Sequence, residues 1–368
     1  MRSNGLSEIK LEIRNLNILI VKLSAIGDVV HSLPFLEVLG KGFPDAEIDW
    51  LVEEAAFKII EGHPAIRRVI LSRRKLWQKK LSQNAGCLSV FRELTGFVKD
   101  LRSNDYDLII DLQGLLKSGI LVGLSKGKRK VGMSGSREGA GFFLNERPVP
   151  VNYGQHAIDR YLKVAEYLGC DSDGWSGHIP VFEPDMRSVD QILNRSGIGE
   201  KPLIAINPIA KWPTKLWDTE RFAALADRIR NELRCEIAFT GSSADRSVIS
   251  DIAKMMKTSP LNLAGRTNLK GLAYLYSRCR LLVTTDTGPM HIAAAMGCPV
   301  AALFGPTAPG RTGPYGKGHR VVRANAACSP CFKKKCDLMT CMKDITVAHV
   351  FEAVKEILHD QTPDFNRA

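Results

Sequence analysis

Short runs in which nearly every position is apolar, such as ILIV at Ile18–Val21 and LLVT at Leu281–Thr284, alternate along this chain with amphipathic stretches of helical length. A run apolar at both parities reads as a strand buried on both faces, and such strands belong to parallel sheets covered by helices. The first half predicts strands at Ile18–Leu23, Ile48–Val52, Val69–Leu71 and Leu108–Leu112, with helices at Val29–Leu39 and Val90–Arg102. Pro180 to Pro184 interrupts the pattern as a loop, and a helix over Met186–Ser196 follows.

The second half restarts the alternation. It predicts strands at Leu203–Ile206, Glu236–Thr240, Leu261–Leu263, Leu281–Thr284 and Val300–Phe304, with helices at Thr219–Leu233, Asp245–Met256, Leu269–Ser277 and Pro289–Met296. A helix at Val347–Leu358 closes the chain. Two series of this kind predict an α/β protein of two Rossmann-like domains, residues 16–185 and 186–345, with a helix and tail over 346–368. Open α/β sheets bind ligands beyond the C-terminal ends of their strands, so the cleft between the halves is the expected site.

Length and composition agree with this picture. A chain of 368 residues, 45% hydrophobic and 24% charged, suits two globular cores rather than one. No apolar run approaches the roughly 20 residues of a spanning helix. The opening MRSNGLSEIKLEIRN holds no apolar core of a secretory leader, so a cytoplasmic location is expected. Reduced thiols are then the expected state of the nine cysteines.

Charge adds a second layer. The formal net charge is +12, and Gly62 to Arg92 contains no Asp or Glu while holding Arg67, Arg68, Arg73, Arg74, Lys75, Lys79, Lys80 and Arg92. A further basic group, Lys126, Lys128, Arg129 and Lys130, follows. Such an excess attracts phosphates, carboxylates, anionic lipid or nucleic acid, or forms a solvated face. RRM-type aromatics, a basic recognition helix and zinc-finger spacing are all missing, so charge alone supports a nucleic-acid-binding module.

Three motifs carry candidate chemistry. In the first, a strand runs into Ser24-Ala25-Ile26-Gly27-Asp28 and then a helix; Gly27 suits a tight turn, and Asp28 at the helix start suits a general base or a plain cap. The second, Asn207 to Trp217 (NPIAKWPTKLW), follows a buried strand and offers Lys211 or Lys215 to a phosphate, or packs as an aromatic loop with solvated lysines. The third, Thr285-Asp286-Thr287-Gly288-Pro289-Met290-His291, starts a helix after a parallel strand, with Thr287 as cap and Pro289 at the first helical position. Its outward amides would make an anion site with Asp286 accepting hydrogen bonds from sugar hydroxyls, or the stretch is a plain turn with a core histidine at His291.

These blocks in this order, SAIGDVVHSLP, NPIAKWPTKLW and TTDTGPMHIAAAMGCPVAALFGPTAPGRTGPYG, resemble the ADP-heptose:lipopolysaccharide heptosyltransferases of glycosyltransferase family 9. DWLVEE at Asp49–Glu54 and NDYDLIIDLQGLLKSG at Asn104–Gly119 look most like the heptosyltransferase I branch, and the resemblance runs from about Ile18 to Gly318. It implies a GT-B fold, an acceptor-binding first domain, a nucleotide-sugar-binding second domain, and inverting transfer of heptose from ADP-heptose to the Kdo region of lipid A. Heptosyltransferase II or another core transferase is the alternative in the same class. It implies Asp28 as catalytic base and Lys215 on the donor diphosphate. Ala210, Lys211, Asp245, Thr267, Asp286, Thr287, Gly288 and His291 fall at further donor positions, although Asp245 and Thr267 differ from the residues of the member compared.

The acceptor would be a Kdo2-lipid A type molecule, met at the cytoplasmic face of the inner membrane. Its anionic groups are expected at Arg73, Arg74 and Lys75, with Lys117 and Arg137 next in line. Neither a cofactor nor a metal is expected in the reaction, and no nucleic acid as partner. Cys328, Cys331, Cys336 and Cys341 stay open between structural thiols, a zinc site and a redox pair.

Overall fold

The computed structural model describes residues 15–83 and 86–361. The first half supplies β1 (Asn17–Val21), β2 (Glu47–Glu53), β3 (Arg68–Ser72), β4 (Tyr106–Asp111) and β5 (Gly127–Gly132), all parallel, in the order β3-β2-β1-β4-β5. Its helices are α1 (Ile26–Val30), α2 (Leu33–Gly42), α3 (Phe57–Ile60), α4 (Arg74–Ser82), α5 (Cys87–Leu101), α6 (Leu116–Leu124) and α7 (Ala157–Tyr167). The second half supplies β6 (Leu203–Asn207), β7 (Glu236–Phe239), β8 (Leu261–Asn262), β9 (Leu281–Thr285), β10 (Val300–Leu303) and β11 (Arg320–Val322), ordered β11-β10-β9-β6-β7-β8. Around it lie α8 (Glu183–Arg195), α9 (Thr219–Leu233), α10 (Arg246–Met255), α11 (Leu269–Ser277), α12 (Gly288–Ala295), α13 (Pro309–Thr312), α14 (Thr340–Lys343) and α15 (Val347–Asp360).

The central strands explain the apolar runs. In β1, Ile18 and Ile20 face a core shared with α2 and α7, while Leu19 and Val21 face a second core beneath α5 and α6. Register sets Ile20 beside Trp50 on one side and Ile110 on the other. In the second sheet Ile204 and Ile206 face a core that takes in Phe222, Phe351 and Val354, so the closing helix α15 packs against this sheet. The core on the cleft side runs through both halves without a break, joining α1 to α12 and α8 to α11.

Several expectations are revised. The single helix expected over Val29–Leu39 is two, α1 and α2, because Pro34 has no N–H to continue the ladder and Ser32 turns its hydroxyl back to the Asp28 and Val29 carbonyls. The basic group at 126–130 is the edge strand β5, where Lys128 pairs with Asp107 and Arg129 with Glu146. Lysine-rich edges of this kind discourage further strand pairing. The strand β11, the helices α4, α6 and α7, and the short helices α3, α13 and α14 also lie beyond the expected elements. Among the described residues no helix is long and apolar enough to cross a membrane.

Candidate active site

Both sheets point the C-terminal ends of their strands into one cleft, where a cavity of about 700 Å³ opens. From the first half it is lined by the 24–28 loop with Asp28, and by Lys75, Arg137 and Arg160. The second half supplies Lys211, Trp212, Lys215, Asp286, Thr287, Gly288, His291, Thr307 and Arg311. Asp28, Lys211, Lys215 and the DTG…H set therefore meet in space across more than two hundred residues of chain.

Asp28 sits on α1, where its Oδ2 accepts the Ala25 N–H at 3.0 Å. It is thus a helix cap and a cleft carboxylate at once; among the described residues no hydrogen bond engages Oδ1. Behind it, Lys22 is buried and donates to the Leu112 carbonyl at 3.0 Å and the Tyr161 hydroxyl at 2.7 Å. Burial works against the Lys22 ammonium, but Tyr161, Asp28 and Asp111 together hold its pKa above the ordinary value.

Gly27 has a different task from the turn expected of it. A Cβ there would lie 2.2 Å from His291 Cδ2, so only glycine lets α1 and α12 meet. His291 in turn meets His31 edge to face, with centroids 4.2 Å apart, and His31 meets His156 the same way at 4.9 Å. His156 Nδ1 accepts the Ile158 N–H, which leaves Nε2–H to donate to the Gly313 carbonyl at 3.1 Å. Burial lowers all three imidazoles, His31 well below its ordinary value and His291 to about 4. The trio is neutral and joins the halves directly under the cleft.

On the donor wall Thr287 stands at the N-cap position of α12 in extended geometry without a side-chain cap hydrogen bond, and Pro289 lies in its first turn, one position later than expected. Gly288, the first residue of this helix, lines the cavity, and a helix start carries unsatisfied amides that favour anions. Lys215 Nζ is 2.6 Å from Asp286 Oδ2 and lies 4.6 Å from the centre of the Trp212 ring. Thr307 Oγ1 donates to the same Asp286 oxygen at 2.7 Å. Asp286 thus orients Lys215 through Oδ2, and among the described residues no hydrogen bond engages its Oδ1. Ala210, Asp245 and Thr267 are not brought into the cavity; Asp245 caps its own turn by accepting from Ser242 N–H and Oγ. The 241–245 and 263–267 loops do touch, through Gly265 N–H to the Gly241 carbonyl, on the same rim of the sheet.

The basic triplet is divided. Lys75 lines the cavity, Arg74 is drawn to Glu53 at 3.1 Å together with Lys117 at 3.0 Å, and Arg73 is exposed outside the lining. Burial raises the Glu53 carboxyl, but Lys117 and Arg74 outweigh it and hold the group below its ordinary range. What the sequence reading missed lies beside Asp28: a polar recess of about 380 Å³ walled by Gln113, Tyr153, Arg160, Arg137 and Arg311. Arg160 is 8% exposed, its guanidinium lies 4.7 Å over the Tyr153 ring, and its Nε is buried without a partner. No spacing rule marks Arg160, because it reaches the recess from the inner side of α7.

Among the described residues no group of three or more His, Cys, Asp or Glu is placed to hold a metal ion, and the four clustered cysteines are free thiols. Cys328, Cys331 and Cys336 lie in the loop after β11, whose Phe332 reaches the cavity, and Cys341 is buried on α14.

With the geometry in place, comparison with known proteins is informative. The family model for glycosyltransferase family 9 (heptosyltransferase) matches residues 94–342. The chain is 32% identical over 336 residues to lipopolysaccharide heptosyltransferase 1 of Pseudomonas aeruginosa, covering 87% of each. It is 29% identical to the lipopolysaccharide core heptosyltransferase OpsX of Haemophilus influenzae, over 82% of this chain and 83% of that one. Among solved structures, a family 9 glycosyl transferase from Veillonella parvula superposes with a TM-score of 0.79 at 26% identity, covering 94% of this chain and 98% of that one. The E. coli heptosyltransferase WaaC with ADP gives 0.75 at 26%, covering 93% and 100%. The two facing sheets are the GT-B arrangement these structures share.

Proposed function

The chain belongs to glycosyltransferase family 9, and from that membership we propose that it moves heptose from ADP-heptose to the Kdo region of a lipid A acceptor, as a heptosyltransferase I. The observation that carries the reading is one cavity holding a carboxylate from the first half opposite a helix start and a lysine from the second.

The chemistry follows from that opposition. Asp28 takes the proton of the acceptor hydroxyl as the hydroxyl oxygen attacks the anomeric carbon. The bond from that carbon to the diphosphate breaks on the opposite face, which inverts configuration. Charge collecting on the departing diphosphate is met by Lys215 and the α12 amides, donors already fixed before the reaction. The acceptor's carboxylates fit the recess beside Asp28, where the unpaired Arg160 needs an anion, better than they fit Arg73 or Arg74. Contact with the cytoplasmic face of the inner membrane follows from a lipid-borne acceptor.

The test is a transfer assay with ADP-heptose on Kdo2-lipid A, and on the same acceptor already carrying one heptose. Transfer to the first alone is expected. Transfer only to the second would make the protein a heptosyltransferase II, and transfer to neither would overturn the reading.

A further inference from the structure

Helices α5 and α6 cover the face of the first sheet that looks away from α2 and α7, and α4 packs on α5 in the same layer. Their inner sides are accounted for: Trp77 is buried and stacks on Phe97 at 5.3 Å, and Val90, Leu101 and Val122 are buried. Their outer sides carry apolar bulk that no core uses. Leu88 and Phe91, one turn apart on α5, are 87% and 68% exposed, and Leu76 and Leu81 of α4 are also exposed. Leu116 and Ile120 are exposed on α6, and Phe142, in the short turn packed on α6, is 92% exposed.

The charge on this layer is one-sided. Most of its acids are engaged: Glu93 accepts from Lys80 and the Trp77 indole, Asp100 from Arg68, and the exposed Glu138 from the Leu116 N–H at the start of α6. Arg73, Lys79, Arg92 and Lys99 have no ion pair among the described residues. Lys75 and Arg137, at the borders of the same layer, line the cleft. Bulky apolar side chains set among unpaired cations are what an interfacial protein presents to anionic headgroups, and neither feature serves folding.

We propose that the outer side of the α4–α5–α6 layer is a docking face for an anionic lipid bilayer, with Leu88 and Phe91 inserting at headgroup depth and Arg73, Lys79, Arg92 and Lys99 pairing with lipid phosphates. The face adjoins the cleft on the Asp28 wall, so a sugar reaching out of the bilayer enters beside the base. This inference rests on the lipid-borne acceptor proposed above. It also gives the acid-free stretch from Gly62 to Arg92 a use that Arg67, Arg68 and Arg74, which are paired internally, do not explain.

Co-sedimentation of the full chain with vesicles tests it without any substrate. Vesicles of phosphatidylcholine mixed with phosphatidylglycerol should retain the protein, and vesicles of phosphatidylcholine alone should not. Leu88→Ser/Phe91→Ser should lower partition roughly tenfold or more, since two apolar insertions are lost. Lys79→Glu/Arg92→Glu should lower it by at least about fivefold for each charge, and raised salt should mimic this variant only. Both variants should keep the parent melting temperature, ADP affinity and turnover on a deacylated, water-soluble acceptor. Failure of the parent to bind anionic vesicles, or unchanged binding by both variants, would overturn the proposal. So would light scattering that shows the face joining two copies of the chain. Vesicle binding without transfer to any acceptor would instead sink the heptosyl-transfer reading and leave the docking face standing.

Discussion

Lys215 on one wall of the cleft and Arg160 on the other are held in opposite states. On the second-half wall Lys215 is already paired with Asp286 and shielded by Trp212, so it stands in place before any ligand arrives. On the first-half wall Arg160 is buried with an unpartnered Nε and, among the described residues, no ion pair. A buried charge without a partner costs several kcal/mol, whereas a paired one is roughly balanced. The difference assigns the walls different work: one is preorganised for a leaving group whose charge grows during reaction, the other is completed by the anion it receives.

The strongest break in that comparison removes the one group belonging to neither description. Asp28→Asn keeps the cap to Ala25 N–H but cannot accept a proton, so turnover should fall about a hundredfold or more while calorimetric ADP affinity stays at the parent value. Near-parent turnover would take Asp28 out of the mechanism. Next, Lys215→Ala removes a charge-assisted phosphate contact and should weaken ADP by about 1.5–3 kcal/mol. It also leaves Asp286 without its cation, so the melting temperature should drop in the same variant. Gly27→Ala attacks the joint on which both walls hinge: the added Cβ meets His291 at 2.2 Å, and overpacking of this kind costs about 1–3 kcal/mol. A melting curve unchanged from the parent would show that α1 and α12 do not pack as described.

Arg160→Gln separates the walls most directly. The acceptor KM should rise about tenfold, the scale of one charged hydrogen bond, while ADP binding stays level. Stability should hold or increase, because a desolvated, unpaired guanidinium is removed. A melting temperature lowered as far as in Lys215→Ala would mean that Arg160 is compensated in the free protein, and the contrast between the walls would fail.

How legible these walls were differs as much as their electrostatics. The donor wall is written in contiguous blocks, because a strand, a capped turn and a helix start must follow one another in sequence to build an anion site. Lys215, Asp286, Thr287, Gly288 and His291 could be found that way. The acceptor side is assembled from Gln113, Arg137, Tyr153 and Arg160, which come from separate loops and a helix and share no spacing. Gly27 shows a subtler limit, since a glycine kept for close approach to His291 looks in sequence like one kept for a turn. Counting charges also misled at β5 and Arg74, where the partners Asp107, Glu146 and Glu53 are distant in sequence or on neighbouring strands.

The smallest expected effect refines the comparison at the cleft's edge. Lys75 lines the cavity with most of its side chain in solvent and sits 3.8 Å from Glu53, while Arg73 next to it lies outside the lining. An exposed ammonium contributes about 0.2–1 kcal/mol to an ion pair, so Lys75→Ala should raise the acceptor KM only two- to fivefold or so. Salt should erase that increment, because exposed charges are screened within about 8–10 Å at physiological ionic strength. Arg73→Ala should leave the KM for a deacylated acceptor unchanged at every ionic strength, since no part of its side chain borders the cavity. The Arg160 effect, arising from a desolvated group, should persist where the Lys75 effect has vanished. Equal salt sensitivity of the two variants would place Arg160 in solvent when the acceptor binds, and would reduce the acceptor wall to a diffuse positive field rather than a built recess.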